Sequence, residues 1–166
     1  MDQYYTHEAN AYINLREFQG QWIPSYYGSY SLSLPVDQGH TRIVRMILIE
    51  HIPGTTMANF KPGDFSQPAR QHIMKSIVDL ESWIYEKDIL LRDLEPRNTI
   101  LRSPVCEQPR VVFIDMAHAL FNRRRDEPYA LKLNFFLGEY ISPLLRWKDV
   151  RSAESFSDWI DWGWDP

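Results

Sequence analysis

The stretch that most constrains this chain is Ile89-Leu-Leu-Arg-Asp-Leu-Glu-Pro-Arg-Asn-Thr-Ile-Leu101, answered further on by Val111-Val-Phe-Ile-Asp-Met-Ala117. Two short apolar runs bracket a polar turn that carries Asp93 and, five residues later, Asn98. A third run, Arg110 to Ile114, ends on Asp115. Apolar runs this short, bounded by Pro and charged residues, read as buried strands rather than helices. The pattern therefore hangs two carboxylates and one carboxamide on the ends of strands, where a fold can aim them at one point.

The segment before this stretch predicts the scaffold that carries it. Lys61-Pro-Gly-Asp-Phe-Ser-Gln-Pro68 reads as a loop, with Ser66 and Pro68 as a helix start. Ile73, Ile77, Leu80 and Ile84 then recur at i, i+4, i+7 and i+11, and Met74, Val78 and Trp83 widen the stripe, so a long, mostly buried helix is expected. Upstream, Tyr5, Ala9, Tyr12, Leu15 and Phe18 fall at helical spacing before Gly20, which suits a C-terminal cap. Tyr26 to Leu34 and Arg42 to Glu50 read as two antiparallel strands joined through Asp37-Gln-Gly-His40.

Downstream, Ser103 to Pro109 reads as a surface turn, and Arg123 to Arg125 as a solvated basic loop. Tyr129 to Trp147 shows apolar residues at helical intervals, interrupted at Ser142-Pro143. The ending Ser155-Phe-Ser-Asp-Trp-Ile-Asp-Trp-Gly-Trp-Asp-Pro166 is rich in tryptophan, and rings of that size pack onto their own domain more readily than they form a docking tail.

With 166 residues, 44% of them hydrophobic, the chain has the material for one domain with one sizeable core. A formal charge of -4 argues neither for a nucleic-acid-binding surface nor for a polyacidic tail, and no nucleic-acid partner is expected. Its single cysteine, Cys106, allows no internal disulfide and agrees with a reducing, cytoplasmic setting. No run approaches the ~18 apolar residues of a membrane span, so no membrane partner is expected. The five histidines show no metal-ligand spacing, and no Gly-x-Ser-x-Gly elbow is present, which leaves metallohydrolase and serine-hydrolase chemistry without support.

Arg92-Asp93, Asn98 five residues after the aspartate, and an apolar strand ending at Asp115 resemble the catalytic and metal-binding loops of the protein kinase superfamily. The resemblance spans roughly residues 5 to 120 and implies an α+β, kinase-like fold. A truncated small lobe of one helix plus a β-hairpin, with the hinge, would occupy 1–52, and a mainly α-helical large lobe 53–166. It further implies that Asp93 orients the acceptor hydroxyl, that Arg97 offsets transferring charge, and that Asn98 and Asp115 hold Mg2+ on the phosphates of ATP. Met46-Ile-Leu-Ile-Glu-His-Ile-Pro-Gly54 would be the hinge, with the Glu50 carbonyl and the Ile52 amide facing the adenine edge and Ile100 flooring its pocket. Glu8 would correspond to the small-lobe helix glutamate; read without the family, it is an ordinary exposed helical residue.

Several positions depart from the family pattern. Leu91 stands where a histidine is usual, Glu95 where a lysine is frequent, and Asp-Met-Ala replaces Asp-Phe-Gly. None of the residues before Glu8 is lysine, and no Gly-x-Gly occurs, so the phosphate cradle and its lysine are missing. Two functions follow as expectations: a weak ATP-dependent phosphotransferase acting on a protein or small-molecule hydroxyl, or a pseudokinase that serves as a binding module for a protein partner. A third expectation is that the sequence is a fragment whose exposed apolar edges make it poorly soluble.

Overall fold

The computed structural model describes residues 2–104, 108–121, 147 and 152–162. Helix α1, Asp2–Asn14, opens the chain and runs into a single 3-10 turn, Arg16–Phe18. Its buried face, Ala11, Tyr12 and Leu15, is supplied by the spacing seen in the sequence. Gly20 reverses the chain at φ +75°, a conformation open to glycine at little cost, and its amide donates to Ile23 O. Strands β1, Tyr26–Pro35, and β2, Thr41–Ile49, then form an antiparallel hairpin with a bulge between Tyr26 and Gly28.

Strand β3, Thr55–Thr56, is followed by helix α2, Gln67–Glu86. Ser66 caps α2 by accepting from the Ala69 amide, and Pro68 sits in the first turn, where its missing N–H costs nothing. After α2 the chain makes only short strands: β4, Ile89–Leu91; β5, Thr99–Arg102; β6, Arg110–Phe113; and β7, Ala119–Phe121. β3, β5 and β6 form one small antiparallel sheet and β4 pairs with β7 in another. A one-turn helix, α3, Ser152–Ser155, comes last.

One hydrophobic cluster joins these pieces. Ile73, Ile77, Leu80 and Ile84 of α2 meet Tyr12 and Leu15 of α1, and Leu101, Val111 and Phe113 of the β5–β6 pair. Each such fully buried side chain contributes on the order of 2 kcal/mol relative to exposure. The cluster contains residues from both sides of position 52, so a single core underlies the hairpin root and the loops that follow α2.

The expected mainly α-helical large lobe is corrected by this architecture. Among the described residues, α1 and α2 are the two helices of more than one turn, and the rest of the order consists of small antiparallel sheets. The physical reason lies in the segments after α2. Asp88, Ser103 and Asp115 take positive φ, and prolines at 96, 104 and 109 interrupt the backbone donors a helix needs, so runs of three or four apolar residues pair as strands instead. The helical spacing noted over Tyr129 to Trp147, the arginines at 123 to 125 and Cys106 lie outside the described residues, apart from Trp147, which is fully buried.

The described part of the aromatic C-terminus packs inward. Phe156 lies 6.1 Å from the Trp147 ring, and Trp159 lies 5.5 Å from Phe65. Arg70 holds Asp161 at 3.3 Å, which fastens this segment to α2. Among the described residues no helix is long and apolar enough to cross a membrane.

Gly54 shows how tightly the turn after β2 sits on β5. A Cβ there would lie 2.5 Å from Ile100 Cγ2 and 2.7 Å from the Leu101 carbonyl oxygen, which is backbone and cannot swing aside. Gly54→Ala is therefore expected to push β3 off β5 and cost about 1–3 kcal/mol, the range for overpacking. Thermal unfolding of the variant measures this, and an unchanged midpoint would contradict the close approach.

Candidate active site

The loop between β4 and β5 is built from its backbone outward. Leu94 is buried and pins the turn, and Pro96 starts a 3-10 turn, Pro96–Asn98, with φ already set for it. The Asn98 amide and the Thr99 hydroxyl both donate to Glu95 O, at 2.9 and 3.0 Å. These bonds aim Asn98 inward, where it is only 7% exposed. Its Nδ2 donates to Asp93 O at 2.9 Å and to Asp93 Oδ2 at 3.1 Å.

Asp93 is held on its other oxygen by Arg97, whose Nη2 donates to Oδ1 at 2.6 Å. The other end of the same guanidinium pairs with Glu95 Oε2 at 2.5 Å. Glu95 thus has its charge met by Arg97. The hydrogen bond it donates to Asp93, and the Asp93 charge, hold the Arg97 guanidinium still more firmly protonated than usual. A carboxylate has about four acceptor positions, so Asp93 with two donors keeps room for a third.

Asp115 reaches the same place along β6. The Ile114 amide donates to Asn98 O at 2.9 Å, which ties the end of that strand to the loop. Asp115 itself sits at φ +59°, a left-handed conformation that costs a non-glycine residue energy and that clusters at functional positions. Asp93 and Asp115 line one small, partly open cavity of about 10 Å3, room for roughly one water-sized species. Outward from it opens a polar cleft of about 440 Å3, lined by Arg92, Asp93, Glu95, Arg97, His118 and Ser155.

Glu8 approaches from α1. The Met116 amide donates toward its carboxylate, and Asp115 lies within electrostatic reach. Burial, and then the Asp115 charge, push Glu8 above the ordinary glutamate range. Tyr12, one turn further along α1, is fully buried and its hydroxyl has no partner among the described residues. Burial first, then Glu8 and Asp115, drive that phenol well above its usual value.

Because its folded-state pKa is raised, Glu8 binds more protons in the folded chain than in the unfolded one. Its contribution is fully present below the unfolded value and is lost as pH rises through the folded value. Glu8→Gln is expected to remove that fall and to raise the unfolding temperature at neutral pH. A lowered midpoint would mean that a cation satisfies the carboxylate.

The predicted hinge lies on the β5 side. Glu50 turns its carboxylate to Ser25, accepting from the amide at 3.0 Å and from the hydroxyl at 2.8 Å, and these bonds lower its pKa. The Glu50 amide donates to Ser25 O at 2.8 Å, which closes the base of the hairpin. Ile52 is buried, and the Gly54 turn rests on Ile100. The structure therefore joins Asp93, Arg97, Asn98 and Asp115 in one loop cluster, with Glu8 behind it. Ile100 lies within β5 of the neighbouring sheet, Ile52 precedes β3, and Glu50 closes the hairpin.

Asn98 and Asp115 are oxygen-bearing side chains of the kind a hard cation takes. Asn98 spends its Nδ2 on Asp93, and its backbone carbonyl accepts from the Ile114 amide just beyond β6, one residue before Asp115. No group of three or more His, Cys, Asp or Glu side chains able to hold a metal occurs among the described residues. Magnesium is commonly bound by one or two protein oxygens completed by phosphate and water, so two ligands suit it.

Sequence reasoning missed the Ser25–Glu50 tie, the unpartnered Tyr12 hydroxyl and the place of His118 on the cleft. Each depends on contacts between segments far apart in the chain, for which no local pattern exists. The arrangement belongs to the class of sites in which two carboxylates and a carboxamide converge at strand ends beside an open cleft. No known family model matches the chain, and no curated protein matches it.

Proposed function

We propose that this chain is a slow, ATP- and magnesium-dependent phosphotransferase whose site is similar to that of the protein kinase superfamily, acting on a protein or small-molecule hydroxyl in the cytoplasm. The observation that carries the reading is the coupling of Asn98 to both aspartates, through its Nδ2 to Asp93 and through its carbonyl to the amide preceding Asp115. Bound magnesium would supply charge neutralisation on the phosphates. Asn98 and Asp115 are the residues that would hold it. Asp93 orients the acceptor hydroxyl and takes up its proton, while Arg97 fixes the Asp93 carboxylate and carries positive charge at the cleft wall. Ile52 and Ile100 offer an apolar rest for a base, and the backbone at Glu50 and Ile52 offers its edge contacts.

Slowness is expected because, among the described residues, neither glycine nor lysine lines the cavity and cleft at Asp93 and Asp115. Preorganised donors of that kind are worth ~3 kcal/mol each at comparable charge-bearing sites. The same observation favours a second reading, a pseudokinase that binds a protein partner. The charge that acts on Glu8 is that of another carboxylate, Asp115. Incubation of the chain with γ-labelled ATP and magnesium separates the two. Release or transfer of label supports the enzyme, whereas bound but intact nucleotide supports the binding module.

A further inference from the structure

Three stretches of chain wall the cleft that opens outward from the aspartates. The β4–β5 loop supplies Arg92 to Glu95 and Arg97, the turn ahead of β7 supplies His118, and the end of α3 supplies Ser155. His118 is steadied from α1, with its ring 4.8 Å from that of Tyr4. Among the described residues that line the cleft, Ser155 alone carries a hydroxyl, and it shares the cleft with Asp93.

Ser155 is placed there by the residues that follow it. Phe156 is fully buried, with its ring centroid 6.1 Å from that of Trp147. Trp159 closes on Phe65 at 5.5 Å, and Asp161 is held by Arg70 at 3.3 Å. A serine one residue from so buried an anchor has a fixed position, yet Ser155 stays exposed. Its hydroxyl makes no hydrogen bond to a described residue, so it has no part in holding the segment down. Two other hydroxyls of these stretches are unsuited to the cleft. Thr99 donates its own to Glu95 O at 3.0 Å, and Ser157, two residues beyond Ser155, is not among the lining residues.

On the phosphotransferase reading given above, we propose that Ser155 is the acceptor, so that the chain phosphorylates its own C-terminal segment within one molecule. Asp93 takes the proton from Ser155 Oγ as that oxygen forms a bond to the terminal phosphorus of ATP. The bond from this phosphorus to the bridging oxygen breaks, ADP departs, and the proton passes to water. One ATP thus gives one phosphoserine, one ADP and one proton. Carrying base and acceptor on a single packed core replaces a bimolecular encounter by an intramolecular one, which offsets part of what the site lacks in phosphate donors.

Incubation of the full chain with magnesium and γ-labelled ATP tests this, with ADP release and the position of the label followed together and the label located by peptide mass spectrometry. The expected result is one phosphate on Ser155, formed with a rate constant independent of chain concentration. The label is lost in Ser155→Ala and in Asp93→Asn, kept in Ser155→Thr, and unchanged in Ser157→Ala. Ser155 and Ser157 are both exposed, so circular dichroism should match the wild type in their variants. ADP release without phosphate on Ser155 overturns the acceptor and leaves the phosphotransferase reading standing. A rate constant that rises with chain concentration overturns transfer within one molecule. Neither ADP nor label, from a folded chain, overturns both readings together.

Discussion

Replacing Asp93 by asparagine is expected to lower phosphoryl transfer by roughly 10²–10⁴-fold, the range for removing a positioned general base. The variant keeps the shape of the site. An asparagine can still accept from Asn98 Nδ2 through its own Oδ1, so the loop geometry that presents Asn98 survives. It loses the charge that holds Arg97 at 2.6 Å and the oxygen able to take a proton from an acceptor. On the proposed reading nucleotide affinity would rest on Asn98, Asp115 and the apolar residues near Ile100, and should change little. Turnover measured under saturating Mg-ATP separates these effects. Unchanged turnover in Asp93→Asn would remove Asp93 from the chemistry.

Trp159→Ala is expected to destabilise the chain by about 3–5 kcal/mol, the cost of deleting a buried large aromatic. Trp159 is 4% exposed and closes over Phe65. The backbone around it is fixed by a 3-10 turn, Ser157–Trp159, and by the Arg70–Asp161 pair. Removing the indole leaves a void between this segment and α2 that the turn is too constrained to fill. A domain of this kind has total stability of only ~5–15 kcal/mol, so the loss should appear as a large shift in the denaturant midpoint. A shift below about 1 kcal/mol would instead describe a tail free to detach and dock on a partner.

The sequence made the scaffold of the site readable because the scaffold is periodic. The α2 stripe from Ile73 to Ile84 has the length and spacing that only a buried helix satisfies, and Ser66 with Pro68 marks its start. The hairpin is equally plain, since nine or ten residues of apolar alternation on each side of Asp37-Gln-Gly-His40 leave few alternatives. Strands of two or three residues carry no such signal. Thr55–Thr56 and Ala119–Phe121 exist because β5 and β4 offer them partners, and nothing local distinguishes them from loop.

The helical large lobe failed for a related reason. It was inferred from a family pattern, whereas the segments after α2 contain positive-φ residues and prolines at intervals too short for a helix. Within the site, the residues of the loop were visible as a spacing, but their electrostatics were not. Glu8 and Asp115 are far apart in the chain, and no local pattern signals that the two carboxylates come within electrostatic reach of each other. The side of the β1–β2 hairpin on which α1 lies, with the Arg45 guanidinium 5.3 Å above the Tyr5 ring, was hidden as well. Alternation of serine with tyrosine and leucine predicts two unlike faces but leaves open which one the helix covers.

The most direct test of the nucleotide site is calorimetric titration of ATP into the folded chain, with and without magnesium, beside the Asp115→Asn variant. Binding that requires magnesium in the wild type and is weakened by at least tenfold, about 1.4 kcal/mol, in the variant is the expected result. Equal binding by the two proteins, or binding indifferent to magnesium, would contradict a cation held between Asn98 and Asp115.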